Sequence, residues 1–127
     1  MINVLFVGLG GALGAVCRYL ISLIPLKGDF PFLTLFTNLL GAVLIGIVDG
    51  IAGSNEKISK QEVLFFKTGV CGGFTTFSTF SLEGLTLLEG GKYLLGTAYI
   101  VVSVVFCLLG VAVGKYCSTK MMLAITP

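Results

Sequence analysis

Four stretches of this chain, residues 4–24, 32–51, 63–88 and 93–113, are almost continuous runs of apolar side chains. Each supplies the roughly 20 residues that a helix needs to cross the hydrocarbon core of a bilayer. Backbone polar groups have no water to bond with in lipid, so each run is predicted to be helical. Composition closes the soluble alternative. Charged side chains make up 11% of the 127 residues, whereas a soluble domain carries about 25% to cover its surface. Mean hydropathy is +1.06. The expected fold class is an all-α membrane protein of four transmembrane helices, a single domain over residues 1–127.

The connections between runs are short. Residues 25–31 contain Lys27, Gly28 and Asp29, which is turn chemistry. Residues 53–61 form the clearly polar stretch, and Glu89-Gly90-Gly91-Lys92 is a tight turn that sets helices three and four side by side and antiparallel. Met1-Ile2-Asn3 lacks a basic leader, so the first run is expected to remain as a span. An even number of spans puts both termini on one side, with Lys57, Lys60, Lys115 and Lys120 and, just inside helix three, Lys67. Lys27 and Lys92 lie on the other, so the bias favours cytoplasmic termini by a small margin.

Several function classes drop out. With no histidine there is no imidazole base, proton relay or metal ligand. A net charge of +2 from scattered basic residues is no nucleic-acid footprint. Cys17, Cys71, Cys107 and Cys117 show no metal-ligand spacing and read as small buried apolar residues rather than disulfide partners. Gly10xxxGly14, Gly46xxxGly50 and Gly110xxxGly114 each put two small residues one turn apart, which permits close helix packing in lipid. These faces can pack within the chain or between chains. Since four short helices scarcely enclose a polar path alone, a homo-oligomer is expected.

The third run is the least regular. Gly72-Gly73 is followed by Thr75, Thr76, Ser78, Thr79 and Ser81, which weakens a continuous helix. A break is expected at 72–75, near Gly72-Gly73, with a kinked but unbroken helix as the alternative. Irregular backbone at this depth needs protein or a wet cavity around it. Freed carbonyls of Gly72 or Thr75 would suit a small hard cation. Phe77 and Phe80 share a face, and the positive edges of their rings can meet an anion or simply pack. Thr79, Glu83 and Thr86 follow another face.

Polar groups on the other helices extend the pattern. Arg18 is a fixed positive charge that either draws an anion toward a vestibule or snorkels or pairs structurally. Asn38 can donate two hydrogen bonds where water is absent, to an ion or to another helix. Asp49 lies near its span's end, and Glu83 is the deepest carboxylate. On helix four, Tyr99, Ser103, Cys107, Gly110 and Gly114 form one stripe that faces helix three or a partner chain.

With these residues assembled, the chain resembles the Fluc (CrcB) family of bacterial fluoride channels over nearly its whole length. The matching pieces are Gly10-Gly11-Ala12-Leu13-Gly14-Ala15 with Arg18-Tyr19, then Asn38-Leu39-Leu40-Gly41, then Gly72 through Phe80. The resemblance implies a dual-topology, antiparallel homodimer in the bacterial cell membrane, or a pairing with a homologous chain of opposite orientation. It implies two ion pathways along the interface and a structural sodium ion (Na+) at the dimer centre, held by carbonyls matching Gly72 and Thr75. The pathway residues it implies are Asn38, Phe77, Ser78, Thr79, Phe80, Glu83, Tyr99 and Ser103, with Arg18 in the vestibule. Cys107 departs from the family's frequent hydroxyl at that position.

The expected function is passive, fluoride-selective efflux that lowers fluoride toxicity, with no catalytic residues and no enzyme activity. Two other transport readings remain. A proton-coupled fluoride antiporter would titrate Glu83, and a small multidrug-type exporter would need a carboxylate in helix one, whose only charge is Arg18. A non-transporting assembly subunit would show no flux.

Overall fold

Glycine and capping side chains decide where the helices stop. In a computed structural model, which describes residues 1–55 and 57–125, the first connection turns at Gly28, whose φ of 126° is open to glycine and strained for other residues. It joins α1 (Ile2–Ser22) to α2 (Phe32–Ser54). The third segment starts at Ser59, where a reciprocal cap forms. The Ser59 hydroxyl accepts from the Glu62 N–H at 3.2 Å, and the Glu62 carboxylate accepts from the Ser59 N–H at 2.8 Å. The helix therefore begins at α3 (Lys60–Val63), three residues before the apolar run.

From there the third segment changes character repeatedly. A π-helical stretch covers Leu64–Cys71 and a single turn, α4, covers Gly72–Phe74. Thr75 and Thr76 are extended, with ψ of 158° and 113°. α5 (Phe77–Glu89) follows. Gly72 and Gly73, where the interruption was expected, are themselves helical, and the extended residues lie just beyond them. The reason is side-chain chemistry, set out below, rather than glycine flexibility.

α5 ends in a Schellman motif. Gly91 takes a φ of 74°, its N–H donates to the Leu88 carbonyl at 3.0 Å, and the Lys92 N–H reaches the Leu87 carbonyl at 2.9 Å. The chain reverses at once into α6 (Tyr93–Ile125). That helix has 33 residues, which at 1.5 Å each is about 50 Å, well beyond a hydrocarbon core of about 30 Å. The apolar run ends near residue 113, but Lys115 through Ile125 include no proline or glycine, and nothing stops the helix there.

α1, α2 and α6 are each long and apolar enough to cross a membrane. With the segmented third piece, four helical passes fit the chain. They pack in two backbone-close sets. A side chain on Gly10 would strike the Phe65 carbonyl, and one on Gly73 would strike the Gly11 carbonyl, so α1 lies directly on the π stretch and α4. A side chain on Gly46 would strike the Val111 carbonyl, and one on Gly114 the Val43 carbonyl, so α2 lies directly on α6. All three GxxxG pairs are thus used within the chain.

Ion pairs mark the two ends. Lys92 meets Asp29 at 2.7 Å, while Asp49 takes both Lys115, at 2.7 Å, and Lys67. A small hydrophobic core of Phe80, Leu87 and Tyr99 joins α5 to α6. Most large apolar side chains, among them Leu5, Leu9, Leu13, Val101 and Leu108, face outward. Lipid, which is as apolar as these residues, gives no penalty for that arrangement.

Candidate functional site

The site is built around the carbonyls at the end of α4. In a continuous helix the Gly72 carbonyl would accept from the Thr76 N–H. That N–H instead donates to Asn38 Oδ1 at 2.7 Å, while Asn38 Nδ2 donates to the Thr76 carbonyl at 3.0 Å. One amide from α2 therefore holds both backbone groups of Thr76 in the extended form. The Thr75 carbonyl would likewise accept from the Thr79 N–H, but that N–H donates to Thr76 Oγ1 at 3.2 Å, an N-cap for α5. Gly72 and Thr75 thus lose their helical donors to two side chains.

The neighbouring carbonyls are satisfied. Cys71 O accepts from the Thr75 N–H at 3.1 Å and from its hydroxyl at 2.9 Å. Gly73 O accepts from Arg18 Nε at 3.3 Å. Arg18 is half-buried, and its guanidinium is engaged with the end of α4 and, among the described residues, with no carboxylate.

A groove of about 330 Å³ opens beside these residues. Asn38, Gly72, Thr75, Phe77, Phe80 and Ser103 all line it, together with Thr76, Cys71 and Cys107. Phe77 and Phe80 are neighbours, with ring centroids 5.5 Å apart. Phe80 is buried, but Phe77 is 78% exposed on the single chain. Ser103 is buried, and its hydroxyl oxygen has no hydrogen-bond partner among the described residues.

Ser78, Thr79, Glu83, Tyr99 and Arg18 stand apart from this groove. Thr79 and Ser78 gather at the Thr76 hydroxyl, at 3.0 and 3.3 Å. Glu83 forms a separate node in which Thr34 Oγ1 donates to one carboxylate oxygen at 2.8 Å and the Tyr99 hydroxyl to the other at 2.7 Å. Tyr99 is completely buried and packs on Phe80, with centroids 5.3 Å apart. Thr76, read from the sequence only as weakening the helix, and Thr34, which sequence reasoning passed over, hold these clusters together. Thr34 sits one turn before Asn38 on α2, a spacing that could have flagged it. The helix-four stripe faces inward, with Tyr99, Ser103, Gly110 and Gly114 all buried.

The grouping consists of weak donors, ring edges and released carbonyls, and among the described residues no nucleophile and base are held together. Comparison with known proteins shows the family. Residues 5–115 match the family described as CrcB-like protein, Camphor Resistance (CrcB). A protein of Ruminiclostridium cellulolyticum named fluoride-specific ion channel FluC is 49% identical over 118 residues, 91% of each chain. A Clostridium perfringens protein of the same name is 46% identical over 114 residues, covering 87% of this chain and 89% of that one. A third, from Rhizobium meliloti, is 45% identical over 117 residues, 90% and 94% of the two chains. This chain belongs to the CrcB-like family.

Proposed function

We propose that the chain is a fluoride-selective ion channel of the bacterial cell membrane, through which cytoplasmic fluoride leaves down its electrochemical gradient and fluoride resistance follows. The observation that carries this reading is the groove where Asn38, Phe77, Phe80 and the Ser103 hydroxyl, without a partner among the described residues, converge. Relatives that share nearly half their residues with this chain carry the name of fluoride-specific channels. Neither a proton-coupled antiporter nor a multidrug-type exporter is favoured by those relatives, and ion transport of this kind is not enzyme catalysis.

Fluoride is small and holds water tightly, so passage through lipid requires replacement donors. The Ser103 hydroxyl donates on one side of the groove, and Asn38 keeps a second N–H beyond the one spent on Thr76. The ring edges of Phe77 and Phe80 add weaker attraction without fixing a cation in the path. Ser78, Thr79, Glu83 and Tyr99 continue the polar track, and Arg18 sets the potential at its mouth. Shallow sites of this kind let the ion leave again, as conduction requires.

The working form is an antiparallel, dual-topology homodimer, which would cover Phe77 and enclose the groove. A structural sodium ion fits the same design. Its ligands would be the carbonyl oxygens of Gly72 and Thr75, released by Asn38 and Thr76 as described. Oxygen donors of this type suit a hard cation, whose charge would hold the two interrupted segments together. A growth assay tests the reading. Bacteria stripped of their own fluoride exporters should regain growth in fluoride when they express this chain. Growth as poor as that of the empty-vector strain would contradict it.

A further inference from the structure

Three elements line the groove toward the end of the molecule that holds both termini: α2 with Ile45, α6 with Val111 and the π stretch with Cys71. Four residues further along each, on the same side of its helix, stands a charged residue: Asp49, Lys115 and Lys67. Four residues is about 6 Å of helix rise. α2 and α6 climb toward that end and the third segment descends from it, so all three steps lead the same way. The side chains meet there. One Asp49 carboxylate oxygen pairs with Lys115 at 2.7 Å, and the other accepts from Lys67.

Two ammonium groups therefore share one carboxylate, and among the described residues no further acid pairs with either. One lysine would neutralise Asp49; the second leaves a positive charge in excess. The two lysine side chains are 42% and 58% exposed, so water and ions reach them. The cluster is separate from Arg18, which bonds the Gly73 carbonyl.

We infer that Lys67, Asp49 and Lys115 form an anion-collecting mouth at the terminus end of the groove, an inference that rests on the channel reading. Their surplus charge raises the local concentration of hydrated fluoride ahead of the point where Asn38 and the phenyl edges take over. A lysine ammonium is a compact, strongly hydrated charge, so it attracts the ion without having to strip its water. A cleft lined by charge of one sign speeds the arrival of the opposite ion, and salt weakens that effect. The mouth acts on anions in general, and the choice of fluoride is made deeper in the groove.

The test is fluoride efflux from liposomes holding the full chain, with a fluoride load far below saturation. Impermeant gluconate salt is set at about 0.01 M or about 1 M on both sides, where the screening length is about 30 Å or about 3 Å. Lys67→Gln or Lys115→Gln removes the excess charge and should slow efflux about threefold to tenfold in low salt. In high salt each should match the unmodified protein. Lys67→Arg should keep the original rate in both. Asp49→Asn frees both lysines and should speed efflux in low salt, the opposite of what loss of a purely structural clamp would do. Equal slowing of the glutamine variants in both salts, or slower efflux from a folded Asp49→Asn protein, would overturn the mouth. Should Asp49→Asn fail to fold, the salt dependence of the glutamine variants decides alone. No efflux from the unmodified protein would remove the channel reading and the mouth with it, whereas efflux without this charge dependence would remove the mouth alone.

Discussion

Asn38 is one side chain whose two ends fix the conformation of a residue 38 positions away. Removing it in Asn38→Ala leaves both half-buried backbone groups of Thr76 without their partner, at a cost of up to about 1–3 kcal/mol for each. The expected outcome is a lower unfolding temperature in detergent together with loss of fluoride flux. Asn38→Asp should not rescue it, because a carboxylate keeps the acceptor for the Thr76 N–H but cannot donate to the Thr76 carbonyl. At Glu83 the expectation divides. Glu83→Ala strands the buried Tyr99 hydroxyl and should destabilise by a similar ~1–3 kcal/mol. Glu83→Gln keeps an acceptor and a donor and should retain passive fluoride flux. If that variant lost all flux while remaining folded, a titrating antiporter would regain ground. Sequence reasoning reached both Asn38 and Glu83 because polar groups within apolar runs are rare. It named Tyr99 but did not pair Asn38 with Thr76 or Glu83 with Thr34, since bonds across 38 and 49 residues cannot be read from local sequence.

At the level of helices, glycine placement carries the packing. Gly46→Ala would drive a methyl into the Val111 carbonyl of α6, and backbone cannot move aside cheaply. Overpacking of this type costs about 1–3 kcal/mol. Gly8→Ala meets nothing within 4 Å, and the better helix propensity of alanine should leave stability unchanged or raised by up to about 1 kcal/mol. Thermal unfolding of the two variants side by side checks the contrast. The turns were legible in the sequence for the same reason: Gly28 and Gly91 occupy backbone conformations that few other residues accept. The reach of α6 past residue 113 was not legible from hydropathy, which shows where lipid contact ends and not where the helix does. The π-helical stretch at Leu64–Cys71 has no signal in composition that we can identify.

Over the whole molecule, the outward apolar faces suit lipid, and the open groove with its exposed Phe77 is the surface that the proposed partner chain would cover. The lysine distribution favours one orientation by more than a dual-topology protein needs, so the proposed dimer has to be tested on orientation. For a dual-topology homodimer, a membrane-impermeant maleimide applied to intact cells should label about half of Cys117 in a Cys17→Ser background, Cys117 lying near the exposed end of α6. Labelling of all chains or none would indicate a single orientation and require a different partner chain. The central claim is selective, passive conduction, and the most direct measurement is ion efflux from liposomes holding the purified protein. Fluoride-loaded vesicles should empty much faster than chloride-loaded ones, with no imposed pH gradient. Equal rates for the two halides, or fluoride release only when a pH gradient is applied, would contradict the account.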